Sequence, residues 1–305
     1  MNDLRRLEIA IGQLRLTNPV MPASGCFGPE LALVTPLDGL GAVVTKTVFH
    51  SVRSGNPAHR LAEVRGGMLN SIGIPSPGMA QFRAKTLPSY QQLGPPVIVS
   101  VGGLSPSDYW DVTTALADDE LAAFEVNLSC PNLEQDGLAI GTSPRTVEKV
   151  TAGVRERAAG RPVIVKLTPN VSSIADIAKA AEAGGAQAVT VANTFVGMSI
   201  DRSTRRASLG NSLGGLSGSA IRPLVLRLVW ESARAVNIPV IACGGASCAA
   251  DVAEFLISGA AAVQIGTATF TRPSTMSEIV AELPLILDDL GARTVKDLIG
   301  SIFSS

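Results

Sequence analysis

The sequence has 305 residues, of which 46% are hydrophobic and 17% charged, so it is long and apolar enough to bury a large core. Its 25 basic and 26 acidic residues leave a net charge of −1, and only 4% of the residues are aromatic. This balance excludes the basic surfaces and stacking platforms typical of nucleic-acid binding. Because no membrane span or signal-peptide pattern is found, we expect a cytoplasmic protein without a membrane anchor.

The opening segment, LEIAIGQLRLTNP, alternates in character and predicts an N-terminal hairpin that closes the bottom of the fold. Eight short β-branched runs follow, each apolar at its start like a strand of a buried parallel sheet. These runs span 19–25, 42–48, 96–103, 123–130, 162–170, 188–194, 238–245 and 262–270.

Most of the runs are separated by segments of helical character, such as 146–160 and 173–185. Eight alternations of strand and helix predict an α/β fold, a (β/α)8 TIM barrel that forms a single domain over residues 1–305. A doubly wound open sheet is the alternative. Long irregular loops are expected after strands 2, 4 and 6, and those at 49–80 and 194–219 would lie on the face where barrel enzymes hold their sites.

Three charged residues fall within predicted core strands, where unpaired charges are rarely buried. They are Lys46, Glu125 and Lys166. Either they reach solvent at the strand ends, or the glutamate forms a structural ion pair with a lysine. Two lysines at the ends of two strands favour an anionic ligand in the barrel mouth. Because Glu125 and Asn127 share one face of their strand, we predict that Glu125 lies deeper on the ligand side and pairs with Lys166.

Glycines and asparagines cluster at the same strand ends. The glycine-rich stretches 213–218, 243–247 and 265–270 indicate a phosphate-bearing ligand, since barrel enzymes often bind phosphate with the loops after strands 7 and 8. The asparagines can hydrogen-bond to the amide and carbonyl edges of a small cyclic, imide-like substrate, because each side chain carries N–H donors and a carbonyl acceptor. They are Asn70, Asn127, Asn132 and Asn193.

The four cysteines form no C-x-x-C pair, so neither zinc binding nor disulfides fit a cytosolic chain of this size. They are Cys26, Cys130, Cys243 and Cys248. Cys130 follows strand 4, where it is either a nucleophile paired with His50 or His59, or a base. A neighbouring Lys46 or Lys166 would lower its pKa for the second role.

Several motifs, in this order, resemble those of the class 1 dihydroorotate dehydrogenases: MLNSIGIPSPG, VNLSCPN, VIVKLTPN, ANT, GGLSG, CGGAS and IGTATF. The resemblance runs from about residue 23 to about residue 270. It implies a barrel that binds one FMN per chain and oxidises (S)-dihydroorotate to orotate in de novo pyrimidine biosynthesis. It also implies that Cys130 is the catalytic base, which removes the C5 proton while C6 gives hydride to flavin N5.

The same resemblance implies two sets of binding residues. Lys46 and Lys166 would contact the flavin and stabilise negative charge on its reduced pyrimidine end. The implied substrate contacts are Lys46, Asn70, Ser71, Ile72, Gly73, Ile74, Asn127, Asn132, Asn193 and Thr194. The implied flavin contacts are Ser24, Lys46, Thr47, Ser100, Asn127, Lys166, Ala192, Gly218, Gly244, Gly245, Gly266 and Thr267, with the last four around the phosphate.

Class 1 has two branches, one a fumarate-reducing homodimer and the other a catalytic subunit whose partner carries FAD and a [2Fe–2S] cluster and reduces NAD. The stretches 55–63 and 68–78 resemble the second branch, although Ser76 and His59 stand where that branch usually has Asn and often has Pro. The chain has no cysteine cluster for an iron–sulfur centre. The cluster would therefore belong to a partner, in a heterotetramer built on a homodimer core.

Three other functions stay open at the level of sequence. The first is the fumarate-linked enzyme of class 1A type, and the second is a related flavin barrel that acts on another pyrimidine, such as uracil or thymine. The third is a non-catalytic barrel that serves as a scaffold. The set of Lys46, Cys130 and Lys166 disfavours the scaffold, which has no need of such chemistry.

Overall fold

The structure, a computed structural model, describes residues 3–37, 39–129, 134–135 and 138–304. Its main sheet consists of eight parallel strands, named here β1 to β8 in chain order. They are Val20–Pro22, Val43–Val44, Val97–Val101, Ala123–Asn127, Val163–Lys166, Ala188–Val191, Val240–Cys243 and Ala260–Ile265.

The strands follow the order β1-β8-β7-β6-β5-β4-β3-β2, and every neighbouring pair is parallel. The two end strands meet, because the N–H of Gly41, just before β2, donates to the carbonyl of Val20 in β1 at 3.0 Å. The predicted (β/α)8 barrel is confirmed, and the open-sheet alternative is wrong. All residues of the eight strands are buried, which explains their near-continuous apolar runs.

Helices cover the outside of the barrel. The α-helices are Met79–Gln81, Leu87–Gln91, Pro106–Leu116, Pro144–Arg157, Ile174–Ala183, Arg222–Ala233, Ala249–Ile257, Ala268–Thr271, Thr275–Asp289 and Val295–Leu298. A π-helical turn spans Phe82–Thr86, and 3-10 turns span Asp3–Leu7, Pro29–Leu33, Ile140–Thr142, Ser219–Ile221 and Ser301–Ser304. None of the helices that the structure describes is long and apolar enough to cross a membrane.

The two helices predicted at 146–160 and 173–185 are present with different bounds: the first is shifted to Pro144–Arg157, and the second is shorter, Ile174–Ala183. The hydroxyls of Ser143 and Ser173 cap their N-termini by accepting backbone N–H bonds. The first helix ends at Arg157 instead of 160, because Ala159 and Gly160 have positive φ angles of 49° and 81°.

The predicted N-terminal hairpin is confirmed and pairs Ile9–Ile11 with Leu14–Leu16. Its turn residue Gly12 packs against Gln187, the residue immediately before β6. The side-chain carbonyl of Gln187 accepts the N–H of Val163 at the start of β5, at 2.9 Å. The hairpin therefore lies at the amino-terminal ends of the strands, which is the bottom of the barrel.

The connections after β2 and β6 are not irregular, contrary to the sequence-based expectation. They contribute two strands each to a four-stranded antiparallel sheet, here called the outer sheet. Its order is Phe195–Met198, Leu213–Ser217, Gly67–Asn70 and Leu61–Val64. Gly214 and Gly215 permit this pairing, because a Cβ at either position would collide with Asn70 or Thr194. Glycines have low strand propensity, so local sequence concealed the outer sheet.

Two shorter pairs complete the secondary structure. Ile200–Asp201 pairs with Arg206–Ala207 beyond the outer sheet. In the long connection after β4, Glu134–Gln135 pairs with Leu138–Ala139. The described part of the connection after β4 therefore includes a small antiparallel ribbon.

Candidate active site

A cavity of about 480 Å³ lies at the carboxyl ends of the barrel strands and extends to the outer sheet. This volume is within the range of roughly 300–1,000 Å³ typical of small-molecule sites. Sixteen residues predicted from the sequence line it: Ser24, Lys46, Thr47, Asn70, Ile72, Gly73, Ile74, Asn127, Lys166, Ala192, Asn193, Thr194, Gly244, Gly245, Gly266 and Thr267.

Three predicted residues do not line the cavity but support it. Ser71 is buried behind the lining, and the Ser100 hydroxyl lies 2.9 Å from that of Thr47. Gly218 has a φ of 108° and crosses close to Gly67, where a Cβ would come within 2.5 Å of the Gly67 Cα. These residues lie beside lining residues, and their direct contact with a ligand stays a prediction.

Two predicted residues, Cys130 and Asn132, lie outside the described residues. The histidines considered as partners of Cys130 do not line the cavity, and the side chains of His50 and His59 are both exposed. The geometry of the described residues therefore favours neither histidine as part of the site.

A hydrogen-bonded network holds the amides at the ends of β4 and β6. Asn127 donates to the Thr47 hydroxyl at 2.9 Å and accepts from the Ser129 hydroxyl at 2.7 Å. Asn193 donates to the same Ser129 hydroxyl at 2.7 Å and accepts the N–H of Thr194 at 2.8 Å. Because each amide is held by fixed partners, the orientation of both side chains is set before a ligand binds. Ser129, at the centre, directly precedes Cys130.

The predicted pairing of Glu125 with Lys166 is confirmed, although an unpredicted residue mediates it. Lys166 Nζ lies 4.0 Å from Glu125 Oε1, and both side chains are buried. Between them, Gln264 accepts from Lys166 at 2.9 Å and donates to Glu125 Oε2 at 2.5 Å. Burial opposes the charge on Lys166, but its interactions with Cys243, Glu125 and Cys26 together raise its pKa above the ordinary value.

Sequence reasoning missed Gln264 although a signal was present, since it is a polar residue inside the apolar run AVQIG. It also missed Cys26 and Cys243, which follow or end barrel strands and line the cavity. Burial raises the pKa of Cys26 to about 11 and also raises that of Cys243. Both side chains are therefore neutral thiols near pH 7. By contrast, partial burial lowers the pKa of Lys46.

Exposed backbone forms a cradle at the ends of β7 and β8. Gly244 and Gly245 have φ angles of 134° and 90°, which favour glycine. A Cβ at Gly245 would lie 2.7 Å from the backbone N of Arg222, the first residue of a 12-residue helix. Across the cradle, the Thr267 hydroxyl donates to that of Ser217 at 2.8 Å. Bare backbone beside a helix start suits a phosphate.

The remaining lining is largely apolar and was not predicted from the sequence. It comprises Ala23, Gly25, Leu61, Met68, Gly215, Ser217, Ile221 and Phe270. Leu61, Met68 and Gly215 belong to the outer sheet, whose formation was itself not expected. Such surfaces can pack against the faces of a flat ring system, whereas the lysines and amides would contact its polar edges.

The two departures from the family pattern are accommodated locally. The Ser76 hydroxyl accepts the backbone N–H groups of Phe49 and Gly78 at 3.1 and 3.2 Å. The backbone carbonyl of His59 accepts the N–H of Gly210 at 2.9 Å, while its side chain is exposed. Neither residue lines the cavity, so neither changes the shape of the lining directly.

The fold and this cavity define a (β/α)8 barrel enzyme with places for a phosphate-bearing ligand and a small polar substrate. The family described as dihydroorotate dehydrogenase matches residues 6–287. The chain is 42% identical to the catalytic subunit of dihydroorotate dehydrogenase B (NAD(+)) from Listeria welshimeri, over 97% of this chain and 98% of the relative. The subunits of the same name from Geobacillus kaustophilus and Trichlorobacter lovleyi are 43% and 44% identical, over 97% of this chain and 96% and 98% of the relatives. The chain belongs to the dihydroorotate dehydrogenase family.

Proposed function

We propose that this chain is the catalytic subunit of an NAD-linked dihydroorotate dehydrogenase, which oxidises (S)-dihydroorotate to orotate with FMN in the cytoplasm. The observation that carries the proposal is the convergence of two lysines, two restrained amides and a glycine cradle in one cavity at the strand ends. A scaffold protein would not need these groups. The names of the relatives favour NAD over fumarate as the final electron acceptor.

The cavity fits one FMN per chain. Because Gly244 and Gly245 lack a Cβ, the end of β7 can pack closely against the helix start at Arg222, where backbone N–H groups can face a phosphate. When bound, FMN supplies a two-electron acceptor for hydride from C6 of the substrate. Lys46 and Lys166 would stabilise negative charge on its pyrimidine end, as positioned cations do for developing charge. Further contacts are expected from Ser24, Thr47, Asn127, Ala192, Gly244, Gly245, Gly266 and Thr267, with Ser100 and Gly218 supporting them.

Dihydroorotate would bind beside the flavin through its amide and carbonyl edges. The restrained amides of Asn127 and Asn193 can each donate and accept, which suits a cyclic imide. Cys130 would remove the C5 proton as its thiolate. The remaining substrate contacts are expected from Lys46, Asn70, Ser71, Ile72, Gly73, Ile74, Asn132 and Thr194.

The electrons would leave through a second protein. The relatives are named catalytic subunits of an NAD(+) enzyme, and this supports a partner that carries FAD and a [2Fe–2S] cluster. The expected assembly is a homodimer core with two partner subunits. Co-purification from the native host, followed by flavin and iron analysis, tests the partner: recovery of FMN alone with fumarate reductase activity would contradict the NAD link.

The dehydrogenase activity itself has a direct spectroscopic test. The purified chain is expected to be yellow with one FMN, and anaerobic dihydroorotate should bleach it to the reduced form. Dihydrouracil should leave the colour unchanged, because it lacks the carboxylate that an anion site with lysines would bind. A chain that takes up no FMN, or that dihydrouracil bleaches equally well, would contradict the proposal.

Substitution of Gly245 by alanine should weaken FMN binding at least tenfold. The new Cβ would lie only 2.6–2.7 Å from the Cβ, Cα and N atoms of Arg222, and the residue would keep a φ of 90°. Strain and overpacking together should destabilise the protein by about 2–4 kcal/mol. Equilibrium dialysis of FMN and chemical denaturation measure the two effects.

The matched control is Gly160→Ala. Gly160 has a similar φ of 81° but open space around its Cβ position, and it does not line the cavity. This variant should lose only about 1–2 kcal/mol of stability, which is the cost of a Cβ at a positive φ, and it should retain FMN. Equal FMN affinity in the Gly245 and Gly160 variants would show that the cradle does not bind the phosphate.

A further inference from the structure

We infer that Gln264 is a positioning residue that separates Lys166 from Glu125 and so keeps the lysine charge directed at the flavin. This inference rests on the proposed function, because it requires FMN in the cavity above Lys166. Gln264 is 1% exposed and does not line the cavity, so its effect on the reaction would pass through Lys166.

The first observation is the way the three side chains cross the barrel interior. Glu125, Thr190 and Gln264 come from β4, β6 and β8, and alternate strands contribute one layer of side chains in this fold. Thr190 donates to Glu125 Oε2 at 3.3 Å, beside the bond from Gln264. Lys166, from β5, contacts this polar layer and lines the cavity.

The second observation is the distance between the charges. A lysine and a carboxylate in free contact approach to about 2.7–2.9 Å. Here Lys166 Nζ lies 4.0 Å from Glu125 Oε1, while it lies 2.9 Å from the side-chain carbonyl of Gln264. The amide thus occupies the position of closest approach that the carboxylate would otherwise take.

The third observation is that the amide can have only one orientation. An ammonium group donates and never accepts, whereas a carboxylate accepts and never donates. The carbonyl of Gln264 must therefore face Lys166, and its NH2 must face Glu125. The bonds from Gln264 and Thr190 both end on Glu125 Oε2, so that oxygen is satisfied without a direct bond from the lysine. The Cys243 side chain also interacts with Lys166 and raises its pKa.

Loss of the amide should allow Lys166 and Glu125 to form a direct ion pair. In Gln264→Met, which keeps an unbranched side chain of similar length, nothing separates Lys166 from Glu125. The lysine would move toward the carboxylate and stabilise the reduced flavin less. The midpoint potential of bound FMN should become more negative. A tenfold loss in the equilibrium for reduction by dihydroorotate corresponds to about 30 mV for a two-electron couple.

The experiment measures the midpoint potential of bound FMN by spectroelectrochemical titration in the unaltered chain, in Gln264→Met and in Gln187→Leu. Gln187 is the matched control: its amide also accepts one hydrogen bond beside β5, but at the bottom of the barrel. The inference expects a negative shift in Gln264→Met and none in Gln187→Leu. An unchanged or more positive potential in Gln264→Met, or an equal shift in Gln187→Leu, would overturn it.

A second variant covers the possibility that Gln264→Met does not fold. Gln264→Glu retains an acceptor for Lys166 in nearly the same shape but adds a negative charge beside it. The potential of its FMN should also fall, and an unchanged value would overturn the inference. Failure of the proposed function gives a different result, since the unaltered chain would then bind no FMN or would not be bleached by dihydroorotate.

Discussion

Replacement of Cys130 by alanine should slow the reduction of bound FMN by dihydroorotate by about 10²–10⁴-fold, the usual contribution of a general base. Alanine cannot accept the C5 proton, whereas the lysines and the glycine cradle are unchanged. FMN content and visible spectrum should therefore match those of the unaltered protein. Anaerobic stopped-flow absorbance of the flavin band measures the rate directly.

Two further variants sharpen this test. Cys130→Ser should retain a small rate that rises with pH, because a serine hydroxyl ionises far less readily than a thiol. Cys248→Ala makes the same change at a half-buried cysteine that does not line the cavity, so its rate should be unaltered. A normal rate of flavin reduction in Cys130→Ala would remove Cys130 from the proposed mechanism.

Substitution of Glu125 by glutamine should lower the free energy of unfolding by about 3–5 kcal/mol, because it leaves Lys166 as a buried cation without its counter-charge. Glu125 is fully buried and Lys166 is only 3% exposed, so water replaces the lost partner poorly. Glu125→Lys, which places two cations in the same interior layer, should be more damaging still. Chemical denaturation of the flavin-free proteins measures the loss without a contribution from ligand binding.

The matched control is Glu231→Gln on the surface. Glu231 forms an ion pair with Arg227 one helical turn away, at 2.5 Å, but the arginine side chain is 59% exposed. Exposed pairs of this kind contribute about 0–1 kcal/mol. If Glu125→Gln destabilises the protein no more than this control, the buried network would not stabilise the fold.

The sequence alone predicted the barrel because its evidence is local. Each of the eight strands is buried on both faces, so each consists of a short run of mostly apolar residues. The helical segments and the glycines after the strands are also local features. Since parallel strands place their carboxyl ends together, the clustering of Lys46, Asn127 and Lys166 followed from the fold itself.

The outer sheet could not be predicted in this way. Its strands come from connections more than a hundred residues apart, and their pairing depends on close contact between backbones. Glycines such as Gly215 permit that contact, but glycine in sequence indicates a turn as readily as a paired strand. Leu61 and Met68 therefore line the cavity without any local signal.

What the sequence by itself determined is the order of the barrel strands and the candidate site residues that stand at their ends, because periodicity and motifs are properties of neighbours in the chain. Only the tertiary structure decided which of them touch. The partnership of Glu125, Gln264 and Lys166 joins three strands across the barrel interior. Its geometry depends on how side chains from β4, β5 and β8 pack inside the barrel, and no pattern among neighbouring residues in the chain predicts that packing.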